Sequence, residues 1–473
     1  MAAAARGRAG GSAPRAPNAA FVGAVAALPQ GSRRAYRRAH HSPSARADIA
    51  RREAAKQIAP LATGQDFTEW ACMAQAPVEE LLRDGTSRHA RGDLDGAARL
   101  YRKVLAQRPG EANALNLLAV IARQRGDLPR ALDLSRQAVL ARPDSPVFLA
   151  NHGAALAEAG RLAEAVRVLA AALSRRPDDV TTLRNLGQAL TALGDPSGAI
   201  APLRRAVALA PAAPEAWLAL AHALREAGAE GAAEAARRVL AIAETPAPLA
   251  EQARFLLAAL GEETAPDRAP AAYVKELFDL YAPRFDSDLQ GRLGYRTPAL
   301  VAALLQAAGI VPDGARRVLD LGCGTGLSGV ALKPFAKRMT GLDLAPRMLA
   351  EAAKRGIYDT LEEADLLAWL PRHAGRFDLV VAADVLNYLG DLGPALDSIA
   401  GALAPGGIAA FSIEIGADAP FALGPGLRYR HDPAHVAALA EAAGLVPLAR
   451  EDVVLREEKG APVPGVIFAL SAR

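Results

Sequence analysis

The chain has 473 residues, about half of them hydrophobic, enough for roughly two to four domains with cores of their own. Its two cysteines, Cys72 and Cys323, exclude a disulfide framework and a cysteine-rich metal site and suit a reducing, cytoplasmic compartment; no run of about 18 apolar residues offers a membrane span. The net charge of +4 sits at one end: residues 1–60 hold eleven Lys and Arg against Asp48 and Glu53, so the remainder is acidic on balance and unsuited to a nucleic-acid-binding body.

Residues 1–76 lack helical or strand periodicity over most of their length and carry no acid before Asp48. This Ala-, Arg-, Pro- and Gly-rich stretch is expected to be a basic, disordered leader. A transit or export segment using Ala19–Leu28, or a start of translation further along, stays open. Arg33-Arg34 makes no twin-arginine signal, because the apolar stretch precedes it.

From residue 77 to 262 the chain repeats. Gly92, Gly126, Gly160, Gly194 and Gly228 step by 34 residues, as do Pro109, Pro143, Pro177 and Pro211, with Ala97, Ala131, Ala165, Ala199 and Ala233 on the same beat. Leu118-Ala119, His152-Gly153, Leu186-Gly187 and Leu220-Ala221 keep it too, and Trp217 and Tyr101 add aromatics. This pattern resembles the tetratricopeptide repeat, a pair of antiparallel helices, and predicts an α-solenoid of four well-formed units. A fifth begins near Pro214, lacks the closing proline and places Arg237 where an apolar residue is usual. Leu249–Leu260 is expected to be a solvating cap. The resemblance implies a concave groove for a protein partner, with Asn116, Asn151 and Asn185 near a bound backbone; packing of the repeats against the rest of the chain is the other reading.

A Pro- and charge-rich break, Gly261 to Pro270, marks a domain boundary. Residues 271–473 then form the second domain. Tyr273 to Asp286 sets four aromatics in a helical segment, followed by Leu293-Gly294-Tyr295-Arg296 and a helix over Pro298–Ala308 that Arg296 opens.

The stretch Val318-Leu319-Asp320-Leu321-Gly322-Cys323-Gly324-Thr325-Gly326 reads as strand, tight turn and helix start, with bare backbone where a bulky ligand lies close. Gly324-x-Gly326-x-x-Gly329 also satisfies the dinucleotide fingerprint, so a nicotinamide cofactor is the first rival. Further elements follow in order: a helix over Leu327–Lys337, a strand from Met339 ending in Asp343-Leu344, then Ala364-Asp365-Leu366, Phe377 to Asp384, and Leu403-Ala-Pro-Gly-Gly407 leading into a fifth strand.

This ordered set resembles the class I S-adenosylmethionine-dependent methyltransferases over about 200 residues, and Tyr281-Ala-x-x-Phe285-Asp286 resembles the element that covers the cofactor in many small-molecule members. The resemblance implies a Rossmann-like, seven-stranded α/β domain behind the α-solenoid. It further implies that Asp320, Gly322, Cys323, Gly324 and Gly326 hold the methionine half. Asp343 with Leu344 would take the ribose, Asp365 with Leu366 the adenine, Asp384 the pocket floor, with Tyr281 and Arg296 closing over.

After the fourth strand the chain reads Asp384-Val-Leu-Asn387-Tyr388, not the Asn/Asp-Pro-Pro-aromatic of base-amino methylation, so a nucleic-acid acceptor is disfavoured. No cluster of His and carboxylates is spaced to bind metal. Tyr429 and His431 are the acid and base candidates, and Glu414 ends the fifth strand at the ligand edge. The expected function is methyl transfer to a small or carrier-bound acceptor. The alternative is a repeat scaffold with a regulatory or inactive cofactor domain.

Overall fold

The 34-residue beat of glycines has a backbone origin. Gly92, Gly126, Gly160, Gly194 and Gly228 all stand at positive φ, between +63° and +93°, where the chain reverses between helices and an L side chain would be strained. In the computed structural model, which describes residues 76–291, 294–416, 419–458 and 460–473, these turns join α1 (Val78–Ala90) to α2 (Leu94–Gln107), α3 (Ala112–Gln124) to α4 (Leu128–Ala141), and α5 (Pro146–Glu158) to α6 (Leu162–Arg175). They also join α7 (Val180–Leu193) to α8 (Pro196–Leu209) and α9 (Pro214–Glu226) to α10 (Ala232–Ala241). The predicted leader, with Cys72, and Leu293 lie outside the described residues.

Asp93, Asp127 and Asp195 cap three of the second helices, accepting from the Gly96, Arg130 and Gly198 backbone N–H groups at 2.8, 3.2 and 2.9 Å. Ala97, Ala131, Ala165 and Ala199 are fully buried where paired helices touch, while Ala233 of the atypical fifth unit is only partly covered.

α11 (Ala247–Ala259) corrects one expectation, for it is not a solvating cap. Gln252, Ala253, Phe255, Leu256 and Leu257 are all buried, as befits a helix apolar on most of its faces. Phe255, Leu256 and Leu257 share one core with α9, α12 (Ala271–Tyr281), Leu427 and Tyr429, so repeats and second domain are continuous. Polar contacts add to it: Arg284 donates to the Ala192 carbonyl at 2.7 Å, and Arg347 to Glu158 at 3.2 Å. The predicted linker is docked as well. Ala269 N–H donates to the Tyr388 carbonyl at 2.9 Å, and Gly390 N–H to that of Asp267 at 2.7 Å.

The second domain carries a seven-stranded sheet in the order β3-β2-β1-β4-β5-β9-β8. Its strands are β1 (Arg316–Leu321), β2 (Ala336–Asp343), β3 (Thr360–Glu363), β4 (Phe377–Ala382), β5 (Leu403–Glu414), β8 (Leu445–Glu458) and β9 (Ala461–Ala472). The first five are parallel, and β9 runs antiparallel between β5 and β8. A separate ribbon pairs β6 (Phe421–Leu423) with β7 (Tyr429–His431). Strand order reverses between β1 and β4, which opens a crevice at their carboxyl ends.

α13 (Phe285–Gly291) and α14 (Thr297–Ala307) precede the sheet, and α15 (Leu327–Leu332), α16 (Pro346–Lys354), α17 (Leu366–Trp369), α18 (Gly393–Ala402) and α19 (Pro433–Ala442) are threaded through it. The helix predicted over Leu327–Lys337 stops at Leu332, because Pro334 turns the chain and Ala336 already begins β2.

Candidate active site

β1 delivers the chain into the glycine loop, where Gly322, Gly324 and Gly326 take φ of +59°, +54° and +89°. A Cβ on Gly322 would strike Val385 at 2.4 Å, and one on Gly324 would meet the Phe285 ring at 3.7 Å. Bare backbone is therefore one wall of a cavity of about 210 Å³ between the loop, the ends of β2 and β4, and the α12–α13 segment.

Asp343 ends β2 at this cavity. Its Oδ2 accepts from Gly324 N–H at 2.9 Å and its Oδ1 from Ala345 N–H at 2.8 Å, leaving lone pairs on both oxygens. Burial pushes its pKa up to about 6. Asp365 also lines the cavity, but it caps α17 through Leu367 N–H at 2.9 Å and is ion-paired with Arg268. Asp384 sits at φ +56°, with Thr297 and Ser412 hydroxyls donating to it at 3.0 and 3.1 Å; burial raises its pKa.

The α12–α13 segment covers the opening with rings. Phe278 packs on Phe285 and Tyr388 with centroids 6.2 and 5.5 Å apart, and Tyr281 on Phe285 at 5.5 Å. Asp286 ties this cover to the loop. It accepts from the Thr325 hydroxyl and from Arg355, which in turn donates to the Thr325 carbonyl at 2.6 Å.

Of the predicted cofactor residues, Gly322, Cys323, Gly324, Asp343, Leu344, Asp365, Leu366, Asp384 and Tyr281 are brought together around the cavity. Cys323 is buried, and burial raises its thiol pKa far above the usual range. Three stand elsewhere. Asp320 is buried behind the loop, accepting from Ser328 and Tyr358 hydroxyls at 2.6 Å each, with Oδ1 unpartnered; burial pushes its pKa up to about 6. Gly326 opens α15 beside Arg355, and Arg296 is an exposed residue at the start of α14.

The two catalytic candidates are not at the cavity either. Tyr429 is fully buried in the core shared with the repeats, its hydroxyl donating to the Pro266 carbonyl at 2.6 Å, and burial raises its pKa. His431 is buried with Nε2 2.9 Å from the Leu389 carbonyl, and burial lowers its pKa. Both sit on β7, whose alternate residues point inward, so the polar atoms serve backbone carbonyls rather than a ligand.

Sequence reasoning missed Arg268, Arg428 and Arg456, which all line the cavity. Arg268 lies in the stretch read as a linker, and Arg456 lies on β8, far along the chain from the glycine loop. Arg428, just before β7, sat beside the favoured Tyr429, and no local signal singled it out. Glu414, expected at the ligand edge, lies behind these arginines.

Residues 319–409 match the family model described as a methyltransferase domain, and residues 82–146 and 151–214 match that of the tetratricopeptide repeat. The chain thus joins tetratricopeptide repeats to a methyltransferase domain with the Rossmann-like sheet of that class. Among similar proteins, methyltransferase-like protein 27 of Homo sapiens is 35% identical over 112 residues, covering 23% of this chain and 45% of that protein. Trans-aconitate 2-methyltransferase of Pseudomonas aeruginosa is 40% identical over 94 residues, covering 19% of this chain and 33% of that protein. The chain therefore spans less than half the length of these curated relatives. Among solved structures, the N-methyltransferase NodS from Bradyrhizobium japonicum WM9, in complex with S-adenosyl-L-homocysteine, is 24% identical with a TM-score of 0.30, covering 37% of this chain and 85% of that one.

Proposed function

We propose that the protein transfers a methyl group from S-adenosylmethionine to a small or carrier-bound acceptor. The observation that carries this reading is the Asp343 carboxylate held at 2.9 Å from Gly324 N–H, beside a loop whose glycines leave no side chain in the way. The residues present fit the group: a Cβ-free cradle matches a ligand that lies against backbone, and the carboxylates of Asp343 and Asp365 offer acceptors for its hydroxyl and amino donors. In this reading Gly322, Cys323 and Gly324 hold the methionine half, Asp343 takes the ribose hydroxyls, and Asp365 with Leu366 flanks the adenine.

When bound, S-adenosylmethionine supplies an electrophilic methyl carbon. The chain's own part is then to orient the acceptor and exclude water, which is worth up to about 7–11 kcal/mol when reacting atoms are well aligned. Phe278, Tyr281, Phe285 and Tyr388 supply the apolar cover for that exclusion.

The repeats are proposed to dock a partner or the acceptor's carrier. Asn151 donates to Asn116 at 2.9 Å, and with Asn185, Arg176 and Asp179 it lines a second hollow on the array.

Titration calorimetry of the full chain with S-adenosylhomocysteine tests the cofactor, and labelled methyl offered with a small-molecule extract tests the acceptor. Binding with label in small molecules is the expected result. Binding of NADH in its place would overturn the reading.

A further inference from the structure

The far wall of the cavity, opposite the glycine loop, is built from Asn387, Tyr388, Arg428 and Arg456. Two guanidinium groups there are held rigidly. Arg456 is 7% exposed, and both arginines donate to Glu414, Arg428 through Nε at 2.9 Å; Arg428 also pairs with Glu458. Glu414 is 6% exposed and also accepts from Asn387 Nδ2 at 3.0 Å. Burial alone would raise its pKa, but Arg456 and Arg428 hold it below the usual value, so this anchor stays charged.

The arginines reach the cavity while Glu414 and Glu458 do not line it; Asp384, which does, lies 3.8 Å from Arg456 Nη1. Each guanidinium carries five N–H donors, and the hydrogen bonds to Glu414 and Glu458 use only part of them. Asn387 is 3% exposed, and with its amide committed to Glu414 its carbonyl oxygen is buried without a donor. The backbone stores strain to present this wall. Leu427, just before Arg428, is locked in the core at φ +59°, and Asp384, across from Arg456, stands at φ +56°.

Among the described residues lining the cavity there is neither histidine nor lysine, and its carboxylates are engaged: Asp343 with the Gly324 and Ala345 N–H groups, Asp365 with Arg268, and Asp384 with the Thr297 and Ser412 hydroxyls. An acceptor that is already an anion needs no base. Resting on the methyltransferase reading above, we propose that this wall binds a small carboxylic acid, its carboxylate on Arg428 and Arg456 and a hydroxyl or amine donor on Asn387, and that the carboxylate is the methyl acceptor. A lone pair on the carboxylate oxygen forms the new O–CH3 bond as the methyl–sulfur bond of the sulfonium donor breaks with its electrons going to sulfur. The products are a methyl ester and the neutral thioether, and no proton moves.

The test uses the full chain saturated with S-adenosylhomocysteine, whose own affinity is measured first and reports the cofactor reading separately. Malate, citrate and glutamate are titrated by calorimetry against malamide and inorganic phosphate. At least one acid is expected to bind about tenfold or more tighter than malamide and phosphate. Arg428→Met should abolish that preference while cofactor affinity is kept, and Glu458→Gln, which frees Arg428 from its competitor, should strengthen acid binding severalfold. With S-adenosylmethionine, label in the acid should be released as methanol by mild alkali. Equal binding of malamide or phosphate, or no change in acid affinity for Glu458→Gln, overturns the proposal even where S-adenosylhomocysteine binds. Should Arg428→Met fail to fold, Glu458→Gln decides.

Discussion

Asp343 and Gly324 face each other across the mouth of the glycine loop, carboxylate oxygen to backbone N–H at 2.9 Å. The contact fixes the loop and leaves the acid with lone pairs for a ligand. Asp343→Ala should therefore weaken S-adenosylhomocysteine binding by about 1.5–3 kcal/mol, the worth of hydrogen bonds to a charged group. Calorimetry measures it, and an unchanged affinity would remove Asp343 from the role.

The same residue sets a pH dependence. Burial holds its pKa at about 6, and the ionised form is the stronger acceptor. Affinity for S-adenosylhomocysteine should thus fall about fourfold between pH 7.5 and 5.5, following the ionised fraction. In Asp343→Asn that dependence should flatten.

Asp320 acts on stability instead. Its folded pKa of about 6 exceeds the ordinary carboxylate value, so the folded state binds the proton more tightly than the unfolded one. Stability from this group is full below about pH 4, is lost as pH rises through about 6, and stays lost at neutral pH. Asp320→Asn should raise stability at pH 7.5 by about 1–3 kcal/mol, less whatever the new amide donor costs unpaired, with no gain at pH 4. Urea unfolding at the two pH values reads the difference.

Tyr429→Phe separates structure from chemistry. The hydroxyl donates to the buried Pro266 carbonyl and does not reach the cavity. Its loss should cost about 1–3 kcal/mol of stability and leave methyl transfer in place. Abolished turnover in a folded variant would restore Tyr429 as an acid or base.

Asp286 anchors the aromatic cover through Thr325 and Arg355. In Asp286→Ala the α12–α13 segment should open more readily. Hydrogen exchange over residues 271–291 is expected to speed up, and S-adenosylhomocysteine to dissociate faster with little change in its association rate.

The parts of the molecule legible in sequence were those set by local rules. Positive-φ glycines repeat at 34 residues because each helix pair needs the same turn, and strand-ending acids such as Asp343 follow directly from the order of elements. What stayed hidden depended on distant chain segments meeting. Arg268 looks like linker until the stretch docks beside Tyr388, and Arg428 before β7 and Arg456 on β8 are only isolated charges until Glu414 gathers them. The placement of Tyr429 and His431 away from the cavity has the same source. Their chemistry suited catalysis, but Tyr429 packs into the core shared with the repeats and His431 turns to the Leu389 carbonyl, and residue type carries no information about which neighbour covers a side chain.

That shared core bears on how the protein unfolds. Solenoids ordinarily melt piecemeal, each repeat leaning only on its neighbours. Here Phe255, Leu256 and Leu257 at the last turn of the array are embedded among Tyr429, Leu427 and Val274 of the catalytic half. The array's end is thus clamped. A cut between the two halves would strip apolar surface from both pieces at once. Repeat array and methyltransferase domain thus share one packed core, which also holds Leu427, the neighbour of Arg428.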